Sequence, residues 1–187
     1  MELNTSGFQR TQRLQRGLSL LEACIATGIL AVLLAQAIPA MRTTVHKQRL
    51  YAHAQTLMTD LQQARSEAVQ RGQAIHMRFS THAQGSCYIM HAGAQAQCQC
   101  KDGGAVECLN PELLIKSEWI PSQLAVAIRA NVGGLSFQAR QGAVTSTGSI
   151  DVVSTSGSSI REVVSIAGRV RTCSPSGTVQ SLPRCAA

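Results

Sequence analysis

Residues 18–40 form an almost uninterrupted apolar run in which Glu22 is the single charge. As a helix this run is long enough to span a bilayer. The helical pattern then continues in another form. Leu50, Ala54, Leu57, Leu61, Ala64 and Ala68 are spaced 4, 3, 4, 3 and 4 apart, one apolar stripe of an amphipathic helix. Gln48, Gln55, Gln62, Glu67 and Gln70 fall on its other faces. Glu67 and Arg71 form an i,i+4 pair in the favourable order, and Gly72 is a natural stop. A single helix from Leu18 to Arg71 would be ~80 Å long at 1.5 Å per residue. Pro39 removes one of its backbone hydrogen bonds and is expected to kink it near the membrane edge. The stripe is ordinary core packing, turned toward the protein's own sheet.

Beyond Gly72 the period changes. Residues 75–79 alternate as a half-buried strand, and residues 87–91 make a second. The glycine-, glutamine- and cysteine-rich segment 92–111 reads as a stapled loop. Residues 113–120, 124–129 and 134–138 are further short strands. Ile150-Asp151-Val152 predicts a short strand between mobile Ser/Thr/Gly-rich turns within 146–159, and residues 161–167 and 168–173 close the pattern. Short strands punctuated by Gly, Pro and Ser argue for an antiparallel sheet or sandwich. The predicted class is α+β: a long N-terminal helix, membrane-embedded in its first half, packed on antiparallel strands.

A lone carboxylate in a membrane helix costs ~2.5–3.5 kcal/mol on insertion scales, so Glu22 needs a reason. The stretch Arg16-Gly17-Leu18-Ser19-Leu20-Leu21-Glu22 resembles the class III signal peptide of type IV pilin-like proteins, with Leu18 where phenylalanine is usual. A secretory signal has a shorter apolar region ending in a small-residue cleavage site. The resemblance implies that a prepilin peptidase cuts between Gly17 and Leu18, that the new terminus is N-methylated, and that Glu22 guides docking into a growing pilus. Flanking charge does not set the orientation, because Arg10, Arg13 and Arg16 on one side are matched by Arg42, Lys47 and Arg49 on the other. The cytoplasmic placement of the leader rests on the resemblance. The organisation so implied is a leader over 1–17, a transmembrane part over 18–40, an amphipathic part of the same helix over 41–72, and a β-rich, disulfide-stapled periplasmic or extracellular domain over 73–187. It places a single-pass protein in the bacterial inner membrane before assembly into a pilus or pseudopilus.

The segment Leu61-Gln62-Gln63-Ala64-Arg65-Ser66-Glu67-Ala68-Val69-Gln70-Arg71-Gly72 is similar to the helix end of FimT/GspH-type minor pilins and pseudopilins. Near the C-terminus, Gly168-Arg169-Val170-Arg171 resembles the Gly-Arg-x-Arg loop of the FimT branch. In competence-linked members that loop binds DNA during natural transformation. The alternative within the resemblance is a structural pseudopilin of a type II secretion system that binds no DNA. The implied partners are other pilins or pseudopilins, the prepilin peptidase, the inner membrane and, on the FimT reading, double-stranded DNA bound without sequence preference.

Charge bears on that choice. The chain carries a formal +7, and loss of residues 1–17 removes three arginines and Glu2, leaving 14 basic residues against 9 acidic ones. Residues 120–187 hold six arginines against Asp151 and Glu162. Gly168 permits an unusual turn, and on an extended segment Arg169 and Arg171 point the same way and could engage successive phosphates. Arg161, Arg140 and Arg184 could add to the patch. No aromatic residue accompanies the motif, which argues against base stacking. The competing reading of Arg169 and Arg171 is as solvated charges that protect an edge strand.

Of seven cysteines, Cys24 lies in the apolar run and behaves as a small apolar residue. Cys87, Cys98, Cys100, Cys108, Cys173 and Cys185 lie in the exported part and read as disulfides. Clustering predicts a local set among the first four and a separate Cys173–Cys185 loop, with the pairing inside the first set open. Zinc held with His82 and His91 is the rival, but Cys98-x-Cys100 is too tight for the usual knuckle. No nucleophile motif or phosphate-cradling glycine loop is present, and His46, His53 and His76 read as surface or half-buried side chains, so neither a catalytic function nor a cofactor is expected.

Processing is directly testable. Mass spectrometry of membrane-extracted protein should find an N-methylated Leu18 as the terminus. An intact leader in cells with active prepilin peptidase would contradict the assignment. Glu22→Ala should still be cut but should enter filaments poorly.

Overall fold

The computed structural model describes residues 19–186, so the cleavage point between Gly17 and Leu18 lies outside the described residues. The chain divides into two compact units, Met1–Arg42 and Thr43–Ala187. Helix α1 is assigned over Leu20–Arg71, with Glu22 in its first turn. Pro39, where the kink is expected, lies just before the boundary between the units.

In the first unit the large apolar side chains from Leu20 to Ile38 point outward and are more than half exposed. An 18-residue window of the helix has a mean hydropathy of 2.0, long and apolar enough to cross a membrane. Thr27 returns its hydroxyl to the carbonyls of Ala23 and Cys24 at 2.9 and 3.0 Å, so its side chain brings no unpaired donor into the apolar segment.

In the second unit, all six stripe positions are buried, with Leu57, Leu61, Ala64 and Ala68 fully inaccessible. They join one core with residues of two four-stranded antiparallel sheets. The first sheet has the order β5-β2-β1-β7, from β1 (Ile75–His82), β2 (Gly85–Ala92), β5 (Leu114–Pro121) and β7 (Gly134–Phe137). The second runs β10-β9-β8-β6, from β6 (Val126–Ala130), β8 (Gly148–Ser154), β9 (Ser159–Val164) and β10 (Val170–Cys173). Strand β6 links the two, because the buried Ser86 hydroxyl of β2 accepts the Ile128 N–H at 2.8 Å.

The expected loop over 92–111 contains a short hairpin, β3 (Cys98–Cys100) and β4 (Val106–Cys108). Disulfides Cys98–Cys108 and Cys87–Cys100 close the hairpin and tie it to β2. Together with Trp119 and Leu114 of β5 they make a second small core on Cys87 and Ile89. Strand β2 is therefore buried at all eight positions rather than at alternate ones. The third disulfide, Cys173–Cys185, closes the C-terminal segment onto the end of β10. With all six of these sulfurs in S–S bonds, no thiolate remains for zinc.

Two buried carboxylates face the helix–sheet core. Asp60, on the buried side of α1, accepts the Tyr88 hydroxyl at 2.5 Å and Lys116 Nζ at 2.7 Å. Burial, and then the bond to Asp60, raise the Tyr88 pKa. Glu162 of β9 is fully inaccessible between Ile160 and Val164, and the Thr172 hydroxyl, 2.8 and 3.0 Å from its two oxygens, is its donor. Burial pushes Glu162 up to about 6, partly offset by the Thr172 bond.

Glu162 has a testable consequence. Its folded pKa lies above the ordinary value of 4.5, so the folded state binds more protons between about 4.5 and 6 and loses stability as pH rises through that window. The loss is about 2 kcal/mol at one unit per 1.36 kcal/mol. Glu162→Gln keeps an acceptor for Thr172 and should be more stable than wild type by about that amount at pH 7–8, with no difference near pH 4, read by urea unfolding. Equal stability at pH 8 would contradict the burial argument.

Candidate functional site

Strands β9 and β10 are joined by a turn over 165–169. The Ser165 N–H donates to the Arg169 carbonyl at 3.0 Å, and the Gly168 N–H donates to the Ser165 carbonyl at 2.8 Å. A second loop lies against this turn. It runs from Gln138 to Ala143, closed by Gly142 N–H to Gln138 O at 2.9 Å and Gln138 N–H to Ala143 O at 2.8 Å. The Val144 N–H donates to the Ile166 carbonyl at 3.0 Å and pins loop to turn.

Two glycines make the approach possible. Gly168 has φ +70°, and a Cβ there would stand 1.9 Å from the Gly142 carbonyl oxygen. Gly142 has φ +61°, and a Cβ there would stand 2.5 Å from Cγ of Arg65. Any side chain at either position would be strained and would collide. The stem of Arg65, from α1, thus lies across the loop glycine, and its Nε comes within 3.3 Å of the Cβ position of Gly168. Loop and turn meet here through glycine backbone alone, and the Arg65 side chain bridges them to the helix.

A groove of about 720 Å³ opens beside this contact. Its helix wall carries Gln62, Arg65, Ser66, Val69 and Gln70; the opposite wall carries Gln141 and the run Gly168–Arg171. Among the described residues no carboxylate lines it. The adjacent acid on the helix, Glu67, is bonded to Arg71 Nε at 2.5 Å. Arg65, Arg169 and Arg171 form no ion pair among the described residues. Three guanidinium groups and neutral hydrogen-bonding side chains, with no acid among the described residues, have the chemistry to hold an anion with several oxygens.

The remaining expected residues are arranged differently. Arg161 is not a free cation: it stands directly across from Asp151 in the β8–β9 register and donates from Nε and Nη2 to the two carboxylate oxygens at 2.6 and 2.8 Å. The Asp151 bond raises its pKa. Arg140 is exposed at the tip of the 138–143 loop, one residue from Gln141, and does not line the groove. Arg184 is exposed in the Cys173–Cys185 segment, against Gly177, and is likewise outside it. Arg65 is the groove residue the sequence reading passed over. It stands within the segment 61–72, one position past the buried Ala64, but nothing local marks its partners Gly142 and Gly168.

His76 and His91 are cross-strand partners in β1 and β2 with ring centroids 5.5 Å apart. His76 Nε2–H donates to the Gly93 carbonyl and His91 Nδ1–H to that of Ala92, each at 3.0 Å. Burial lowers both pKa values, helped at His76 by the neighbouring His91, so both rings are neutral at pH 7. Among the described residues no group of three or more His, Cys, Asp or Glu side chains is placed to hold a metal.

The family described as type II transport protein GspH matches residues 53–168, more than half of the chain. No curated protein matches. Among solved structures, the chain is similar to the type IV minor pilin FimU of Pseudomonas aeruginosa (strain PAO1) in two crystal forms. In one the identity is 19%, over 65% of this chain and 90% of that one, with a TM-score of 0.47. In the other it is 21%, over 67% and 88%, with a TM-score of 0.48. The minor pseudopilin EpsH of the Vibrio cholerae type 2 secretion system matches at 13% identity over 67% of this chain and 96% of that one, with a TM-score of 0.46. On the family match, the chain belongs to the family described as type II transport protein GspH.

Proposed function

We propose that this chain is a minor type IV pilin of the FimT type that binds double-stranded DNA through the groove at Gly168-Arg169-Val170-Arg171 and takes part in DNA uptake. The observation that carries the reading is that Arg169 and Arg171 have no ion pair among the described residues and line a groove with no acid among them. Gly168 supplies the turn that presents them, and the Cys173–Cys185 bond holds the end of their strand. Binding is driven by counterion release and is independent of sequence. Arg140 is exposed one residue from the groove-lining Gln141 and adds positive charge beside the groove, whereas Arg161 is already neutralised by Asp151 and contributes little.

The mature protein begins at Leu18, sits in the inner membrane by the apolar part of α1 with its β-rich domain in the periplasm, and enters a filament with other pilins through Glu22. Its role is structural and binding rather than catalytic. A second reading, a pseudopilin of a type II secretion system with no DNA binding, is favoured by one observation. The family that matches residues 53–168 is described as a type II transport protein.

A salt series separates the two. The full chain in neutral detergent, wild type beside Arg169→Gln/Arg171→Gln, is titrated with unrelated duplexes, with circular dichroism as a folding control. The wild type should bind all duplexes alike, and the double variant should lower the slope of log affinity against log salt by about two. No binding by the wild type at low salt, or an unchanged slope in a folded double variant, would favour the structural pseudopilin.

A further inference from the structure

We infer that Arg65 of α1 is a third phosphate-binding residue, so that the DNA backbone lies in the groove between the helix and the β9–β10 turn instead of touching the turn alone. This rests on the DNA-binding reading and extends its site onto a different element. Three features of Arg65 carry it. Its stem is fixed across Gly142 and Gly168, at positions where any Cβ would strike the Arg65 side chain or the Gly142 carbonyl. A guanidinium held in this way loses little further freedom on binding. Its side chain lines the same groove as Arg169 and Arg171 and has no ion pair among the described residues.

A packing role alone does not account for the charge. The contact with Gly142 is made by Cγ, with Cδ and Nε alongside, and an uncharged side chain with the same methylenes would fill that space equally well. Adding a third positive charge to a groove that already holds two, with no acid to offset it, is unfavourable until an anion arrives. The Ser66 hydroxyl already donates to the Gln63 carbonyl at 3.1 Å, and Gln62, Gln70 and Gln141 add neutral donors to the lining. These can bond phosphate and sugar oxygens but cannot cancel the charge of the arginines. A polyanion crossing the groove meets cations on both walls.

The test uses the full chain in neutral detergent and a short DNA duplex. Arg65→Gln should lower the slope of log affinity against log salt by about one, and the triple variant with Arg169→Gln/Arg171→Gln should lower it by about three. Arg65→Lys keeps the charge and should keep the wild-type slope. A folded Arg65→Gln variant with an unchanged slope would overturn the inference and leave the DNA-binding reading intact if the Arg169/Arg171 variant still lowers it. If neither variant changes the slope, both fall. Should Arg65→Gln not fold, phenylglyoxal footprinting of the wild type decides. Duplex DNA should protect Arg65 together with Arg169 and Arg171, and equal modification of Arg65 with and without DNA would overturn the inference.

Discussion

The second unit depends on one helix face being buried against two sheets at once. The stripe from Leu50 to Ala68 supplies the apolar area, about 1.5–3 kcal/mol for each large side chain removed from water. An apolar stripe alone does not fix the position of a helix along a sheet. Asp60 adds that constraint. It stands three residues after Leu57 and four before Ala64, on the same buried side, and reaches both Tyr88 of β2 and Lys116 of β5. A buried carboxylate that lost these partners would be strongly destabilising, so the helix is held at one register over the first sheet.

The groove is a consequence of that register. With α1 fixed, Arg65 arrives over the 138–143 loop, and only glycine at 142 and at 168 lets loop and turn close beneath it. The β9–β10 turn is thereby held against the helix, and Arg169 and Arg171 line a space that already has a helix wall. The basic residues of the C-terminal region are sorted by the same geometry. Arg161 faces a carboxylate across the strand pair and is neutralised, whereas the arginines at the groove have no such partner among the described residues.

Much of the fold was legible because its signals are local. The helix stripe follows the 3.6-residue period, and β1, β5, β6, β7, β9 and β10 carry apolar positions that bracket them to within a few residues. Strand β8 extends beyond the triplet Ile150–Val152 because Gly148 and Ser154 are also buried, which short polar residues do not announce. The β3–β4 hairpin was hidden because disulfides rather than alternating apolar residues hold it, and sequence does not choose a pairing among Cys87, Cys98, Cys100 and Cys108. The site was half legible. Gly168, Arg169 and Arg171 form a compact motif. The neutralisation of Arg161 depends on the β8–β9 register, and the placement of Arg65 in the groove depends on glycines far along the chain, so neither had a local mark.

The central claim is that a phosphate backbone occupies the groove between α1 and the β9–β10 turn. The most direct measurement is NMR of the arginine Nε–Hε groups of the full chain in detergent, titrated with a short duplex. The account predicts that the signals of Arg65, Arg169 and Arg171 shift together and saturate at one duplex concentration, while Arg161, held by Asp151, stays in place. Shifts confined to arginines outside the groove, such as Arg129 and Arg184, or no shift at any arginine, would contradict it.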